Sequence, residues 1–268
     1  MPVNGLPPST VVSPTEPLRV LILGDSVIGT AEPAITAALA STGEATVFSS
    51  AIDGFGLTTV PNWSTDITNI IERDRPEVII GSWSWDDAGP STPNALYEPQ
   101  RYRALLMHAL EVMLAPGNGV AGVAFTSYPY DVSFGPEASA QERSAIARNA
   151  AGTAAWARIA QGMPAAFAHR VMYLPVARSL TYRGAYLTWL PPSGDPGAPR
   201  RVWLRARMQD HAHLCPEGAL RYADAVLSDF RQLFALHAAN ASWFTADWTN
   251  TPEYQTPPGA CPSDHPPP

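Results

Sequence analysis

Five short strand-like runs, each followed by a stretch of helical character, constrain what this chain can fold into. The runs are residues 20–23, 46–50, 77–80, 120–126 and 171–174. After them, residues 31–39, 63–75, 101–114, 138–161 and 217–237 are alanine-rich or carry apolar residues at helical spacing, as Ile67, Ile70 and Ile71 do. Pro76 ends the second of these before the third run begins. Strand and helix alternating in this way make βαβ units. The expectation is one α/β domain over residues 18–237, with a five-stranded parallel sheet and helices on both faces. Right-handed crossovers then place the functional loops at the carboxyl ends of the strands.

The first run, Val20-Leu21-Ile22-Leu23, stops at Gly24 and is followed by Asp25 and Ser26. Ser26 therefore sits where a strand hands over to a helix. Its hydroxyl lies near the positive end of that helix, which suits a developing oxyanion. An ordinary capping serine gives the same local pattern. Far along the chain, Asp210 and His213 stand three apart in a loop before a helix that opens with Pro216. A carboxylate there can hold the ring's Nδ1–H and fix the tautomer, leaving Nε2 free to take a proton from a hydroxyl. His211 with His213 also suggests metal, but no partner set at zinc spacing accompanies them, so no metal and no cofactor are expected.

Residues 1–17, with Pro2, Pro7, Pro8, Pro14 and Pro17, read as a linker. Residues 177–207 break the alternation with Pro191, Pro192, Pro196, Pro199 and two aromatic stretches, and read as an insertion or short hairpin. Residues 238–268 form an irregular tail whose Trp243, Phe244 and Trp248 are expected to press on the body. The two cysteines, Cys215 and Cys261, can be unrelated buried thiols; a disulfide between them would pin the tail and implies an oxidising, extracytoplasmic setting. The net charge of −7, with 17 arginines and no lysine, offers no basic face for nucleic acid. The sequence has neither a membrane-spanning apolar stretch nor a basic-then-apolar leader. If exported, it is expected to be part of a longer protein whose upstream segment carries the signal or anchor.

Trp83 and Trp85 alternate with Ser82 and Ser84 after the third run, and Asp86 and Asp87 follow. Core packing is the usual role of tryptophan; an aromatic platform for a sugar ring or acyl chain is the alternative. The two aspartates read as loop-solvating residues in preference to a glycosidase pair.

Gly24-Asp25-Ser26 after the first strand, the glycine loop 51–57 after the second, and Asp210-x-x-His213 near the end resemble the SGNH/GDSL hydrolase family. More narrowly, residues 51–57, 210–218 and 257–262 look like the SGNH domains fused behind acyltransferase-3 membrane domains in actinobacteria. The resemblance implies a flavodoxin-like three-layer α/β/α sandwich. It also implies Ser26 as nucleophile, His213 as general base, Asp210 as its orienting carboxylate, and the N–H groups of Ser26 and Gly54 as oxyanion donors. The family places an asparagine after the third strand as a third donor, whereas this chain has Gly81-Ser82-Trp83-Ser84. The Trp83 indole or a hydroxyl of Ser82 or Ser84 is left to take that part. The activity implied is an SGNH-type serine esterase or O-acyltransferase acting on an acyl ester and an envelope carbohydrate or glycolipid. A secreted esterase on small or lipid esters, and a glycan-binding module that has lost catalysis, are the alternatives.

Overall fold

The structure is a computed structural model. It describes residues 13, 15–83, 86, 94–127, 140–168, 170–192, 197, 199, 202–208, 210, 212–255 and 261. Its centre is a five-stranded sheet of β1 (Leu18–Gly24), β2 (Ala45–Ala51), β3 (Val78–Ser82), β4 (Gly122–Thr126) and β5 (Val171–Leu174), in spatial order β2-β1-β3-β4-β5. All four pairings are parallel. The chain reverses its winding direction between β1 and β3, the position where ligands bind in open sheets of this kind.

Two apolar layers sandwich the sheet, and each strand divides its side chains between them. Leu18, Val20 and Ile22 of β1, with Val78 and Ile80 of β3, face helices α1 (Ser26–Ala40) and α6 (Pro216–Phe234). Leu21, Leu23, Ile79, Val123 and Phe125 face the other way. There they meet α2 (Trp63–Asp74), α3 (Pro99–Met113) and α4 (Ala140–Gln161); the short α5 (Met163–Ala166) leads into β5. The expected α/β/α sandwich is the architecture observed.

Of the boundaries that differ from the sequence expectation, three have clear local reasons. Helix α1 starts at Ser26, five residues before the predicted start, because the Asp25 side chain accepts the N–H of Val27 and caps the first turn. Strand β3 runs on through Gly81 and Ser82, where glycine is accommodated without breaking the ladder. Helix α6 stops at Phe234, since Ala235 turns left-handed at φ 53°. The predicted insertion contains two small antiparallel pairs: β6 (Thr181–Tyr182) with β7 (Ala185–Tyr186), and β8 (Trp189–Leu190) with β9 (Leu204–Arg205).

In the tail, Trp243 and Trp248 are buried in the layer shared by α1 and α6. Phe244 does not join them: it lies 39% exposed, stacked on Trp243 at 4.3 Å. Cys215 and Cys261 form a disulfide that closes a 46-residue separation. Loop-closure entropy makes a bridge of that span worth about 4 kcal/mol at most. Cys261→Ser is therefore expected to lower unfolding free energy by about 2–4 kcal/mol, measured by urea titration of both proteins without reductant. No described helix is long and apolar enough to cross a membrane.

Candidate active site

The end of β1 is shaped by Gly24. A Cβ placed there would lie 2.0 Å from the Ser82 carbonyl oxygen, so β1 and β3 pass too closely for a side chain. The Asp25 N–H donates to that same carbonyl at 3.2 Å, and the Asp25 carbonyl accepts the Gly29 N–H at 3.1 Å. These bonds fix the turn that presents Ser26 as the first residue of α1. Asp25 is itself buried, which gives it the structural part its position suggests.

His213 reaches this turn from the loop before α6. Its Nε2 is 2.8 Å from the Ser26 Oγ. Its Nδ1 makes a short hydrogen bond with Asp210 Oδ2. The other Asp210 oxygen accepts the N–H groups of Ala212 at 3.0 Å and His213 at 3.1 Å. One carboxylate thus holds both the ring and the backbone that carries it, as the three-residue spacing allows. The loop is closed below by Met208 N–H donating to the His213 carbonyl and Cys215 N–H donating to that of Ala206.

Electrostatics follow from this geometry. Partial burial pushes the Asp210 carboxyl up, but the His213 ring and two backbone N–H groups outweigh it and hold the group at about 2. His213 is raised above the ordinary histidine value by its hydrogen bond to Asp210, against the opposing effect of burial; the charges of Asp210, Asp25 and Asp53 add to the rise. The ring is thus anchored by an ionised carboxylate and turned toward a hydroxyl, an arrangement able to accept and return a proton.

The glycine loop after β2 closes the other side. Ile52 N–H donates to the Gly24 carbonyl at 2.9 Å, tying the loop to the serine turn. Gly54 has φ 71°, a left-handed conformation that suits glycine. Its carbonyl accepts the Thr59 hydroxyl at 2.7 Å. Among the described residues, no acceptor takes the N–H of Ser26 or of Gly54.

Asp86 corrects the sequence reading. It is not a solvating loop residue but fully buried. Its carboxylate accepts Leu57 N–H at 2.8 Å and the Thr58 hydroxyl at 2.5 Å, with Tyr102 OH at 3.5 Å. A Cβ on Gly56 would lie 2.5 Å from its Oδ1, so the second glycine of the loop makes room for this carboxylate. Burial raises Asp86 to about 6, despite these hydrogen bonds. Nothing in the local sequence marks it, because the partners of its carboxylate lie 16 to 29 residues away.

Trp83 also departs from the substrate-binding and oxyanion expectations. It is fully buried, edge-on to Phe125 at 5.5 Å, with its six-membered ring where a side chain on Gly81 would stand. A sugar cannot reach that ring. Among the described residues its buried indole N–H has no hydrogen-bond partner. Ser82 is buried at the end of β3. Ser84, Trp85, Asp87 and His211 lie outside the described residues, as do residues 1–12 and 262–268.

Similar solved structures share this arrangement of strands and helices. A family 3 carbohydrate esterase from Clostridium thermocellum matches with a TM-score of 0.51 at 13% identity, over 82% of this chain and 98% of that one. Est24, a carbohydrate acetylesterase from Sinorhizobium meliloti, matches with a TM-score of 0.53 at 13% identity, over 81% of this chain and 100% of that one. A gut microbial diltiazem-metabolizing enzyme matches with a TM-score of 0.52 at 14% identity, over 80% of this chain and 47% of that one. No protein-family model and no curated protein matches the sequence. At these identities the likeness establishes the fold alone, a three-layer α/β/α sandwich around a parallel sheet, and a fold hosts many substrates.

Proposed function

We propose that this chain is a serine esterase or O-acyltransferase of carbohydrate acyl esters, working through Ser26, His213 and Asp210. The observation that carries this is the 2.8 Å approach of His213 Nε2 to the Ser26 Oγ, with Asp210 behind the ring. In the first half-reaction the Ser26 oxygen attacks the ester carbonyl while His213 takes the hydroxyl proton. The bond to the leaving alcohol then breaks, and His213 returns that proton to it. In the second, an acceptor hydroxyl attacks the Ser26 ester carbonyl and gives its proton to His213; the bond between the acyl carbon and Ser26 Oγ breaks, and His213 returns that proton to Oγ. The N–H groups of Ser26 and Gly54 receive the oxyanion, a role supported by the ties between their two loops.

The acceptor is a carbohydrate hydroxyl of the cell envelope, or water. The activities of two neighbours, a carbohydrate esterase and a carbohydrate acetylesterase, support a carbohydrate ester as substrate. A cavity of about 250 Å³ beyond β4 and β5, lined by Ser127, Gln161, Tyr173, Arg178 and Tyr186, supplies polar groups and rings suited to a glycan further along the sheet edge. The disulfide supports an extracytoplasmic setting. An acyltransferase-3 membrane domain as donor of the acyl group rests on the sequence resemblance.

Mass spectrometry of an oligosaccharide incubated with the protein and an acyl donor tests transfer. An acyl adduct that depends on Ser26 is expected. Ester turnover without any adduct would leave a hydrolase, and glycan binding with neither would leave a binding module.

A pH dependence follows from the base. His213 acts only when neutral, and its anchored ring holds its proton to a pH above the ordinary histidine value. Turnover of p-nitrophenyl acetate is thus expected to rise with pH through a single midpoint above 6.5. A midpoint below it would mean that the carboxylate does not support the ring.

A further inference from the structure

Thr30 lies on α1, one turn beyond Ser26, and is buried. Its hydroxyl donates to the Val27 carbonyl at 2.8 Å, inside the turn that presents Ser26. The same oxygen accepts the N–H of Leu214 at 3.1 Å. Leu214 is the residue after His213. One hydroxyl therefore bridges the helix of the serine and the loop of the histidine, joining backbone that lies 184 residues apart. The task requires a group that donates and accepts at once, which threonine and serine can do and valine cannot.

The carbonyl of Thr30 has a second caller. It accepts the phenol of Tyr254 at 2.5 Å. The carbonyl of Tyr254 in turn accepts the N–H of Cys261, whose disulfide ends on Cys215, two residues past His213. The C-terminal tail is thus bonded both to the helix bearing Ser26 and to the loop bearing His213.

We propose that Thr30 is a positioning residue that sets the separation of Ser26 and His213, and that the tail steadies it through Tyr254. The inference rests on the serine chemistry proposed above. Thr30 touches no substrate and acts through the His213 loop. Without its hydroxyl, the buried Leu214 N–H has lost its acceptor and the loop must move to find another. A misplacement of about 1 Å in a catalytic constellation can cost on the order of 100-fold in rate.

The test compares wild type, Thr30→Val, Thr30→Ser and Tyr254→Phe as full chains, below the melting point of each. The readouts are kcat and KM for p-nitrophenyl acetate and the rate of Ser26 labelling by a fluorophosphonate. Thr30→Val is expected to lose about 10- to 100-fold in kcat and labelling rate with KM unchanged. Thr30→Ser, which restores the hydroxyl, is expected to stay near wild type. Tyr254→Phe is expected to lower kcat in the same direction by a smaller factor, and carries the test if Thr30→Val does not fold. Wild-type labelling rates in Thr30→Val, an unchanged kcat in Tyr254→Phe, or a folded Thr30→Ser as slow as Thr30→Val would overturn the inference alone. Absence of labelling in wild type would overturn the serine chemistry, and the inference with it.

Discussion

Ser26→Ala is expected to reduce turnover of p-nitrophenyl acetate to the level of the protein-free reaction. Loss of the nucleophile in a triad enzyme costs on the order of 10⁶-fold in kcat. The change is local, because Ser26 caps nothing: Asp25 accepts the Val27 N–H and Ser82 accepts that of Asp25. The variant should therefore melt close to wild type while losing the initial burst of p-nitrophenol that an acyl-enzyme produces. A burst that survives the substitution would place the nucleophile elsewhere.

Asp210→Asn is expected to cost on the order of 10⁴-fold in kcat, since the ring is then held in the wrong tautomer. In the native site the carboxylate accepts from His213 Nδ1 and leaves Nε2 unprotonated toward Ser26. An amide nitrogen in that place would donate to Nδ1 and move the proton to Nε2, which then cannot act as a base. The remaining amide oxygen can still accept the Ala212 and His213 N–H groups, so the loop should keep its shape. A ratio of kcat values near one, with the fold intact by circular dichroism, would remove Asp210 from the mechanism. The same carboxylate bears on stability in a known direction. Its folded value of about 2 lies below the ordinary 3.8, so its contribution is complete above 3.8 and disappears as the pH falls through about 2.

The parts of this molecule legible in the sequence are those governed by neighbours along the chain. Val20 to Leu23 reads as a strand because four apolar residues in succession suit burial on both faces, and β1 is an interior strand of the sheet, flanked by β2 and β3. Asp210 and His213 can be paired because three residues of loop bring a carboxylate to a ring, and the structure bonds the His213 ring to Asp210 on one side and Ser26 on the other. What could not be read depends on long-range contact. Asp86 looks like a surface aspartate until Leu57, Thr58 and Tyr102 surround it. Trp83, beside the expected site in sequence, folds back over Gly81 because that residue leaves space for the indole. Thr30 looks like a minor helical residue, since only the folded chain brings Leu214 to its hydroxyl. The tail is intermediate: its tryptophans announce burial, whereas the Tyr254 bond to α1 has no local signature.

Tandem mass spectrometry of the full chain after fluorophosphonate treatment tests the serine chemistry most directly. One phosphonyl group per chain, on the peptide containing Ser26, is the expected result, with none on protein unfolded in urea beforehand. A native protein that stays unmodified, or carries the group on a different serine, would contradict it.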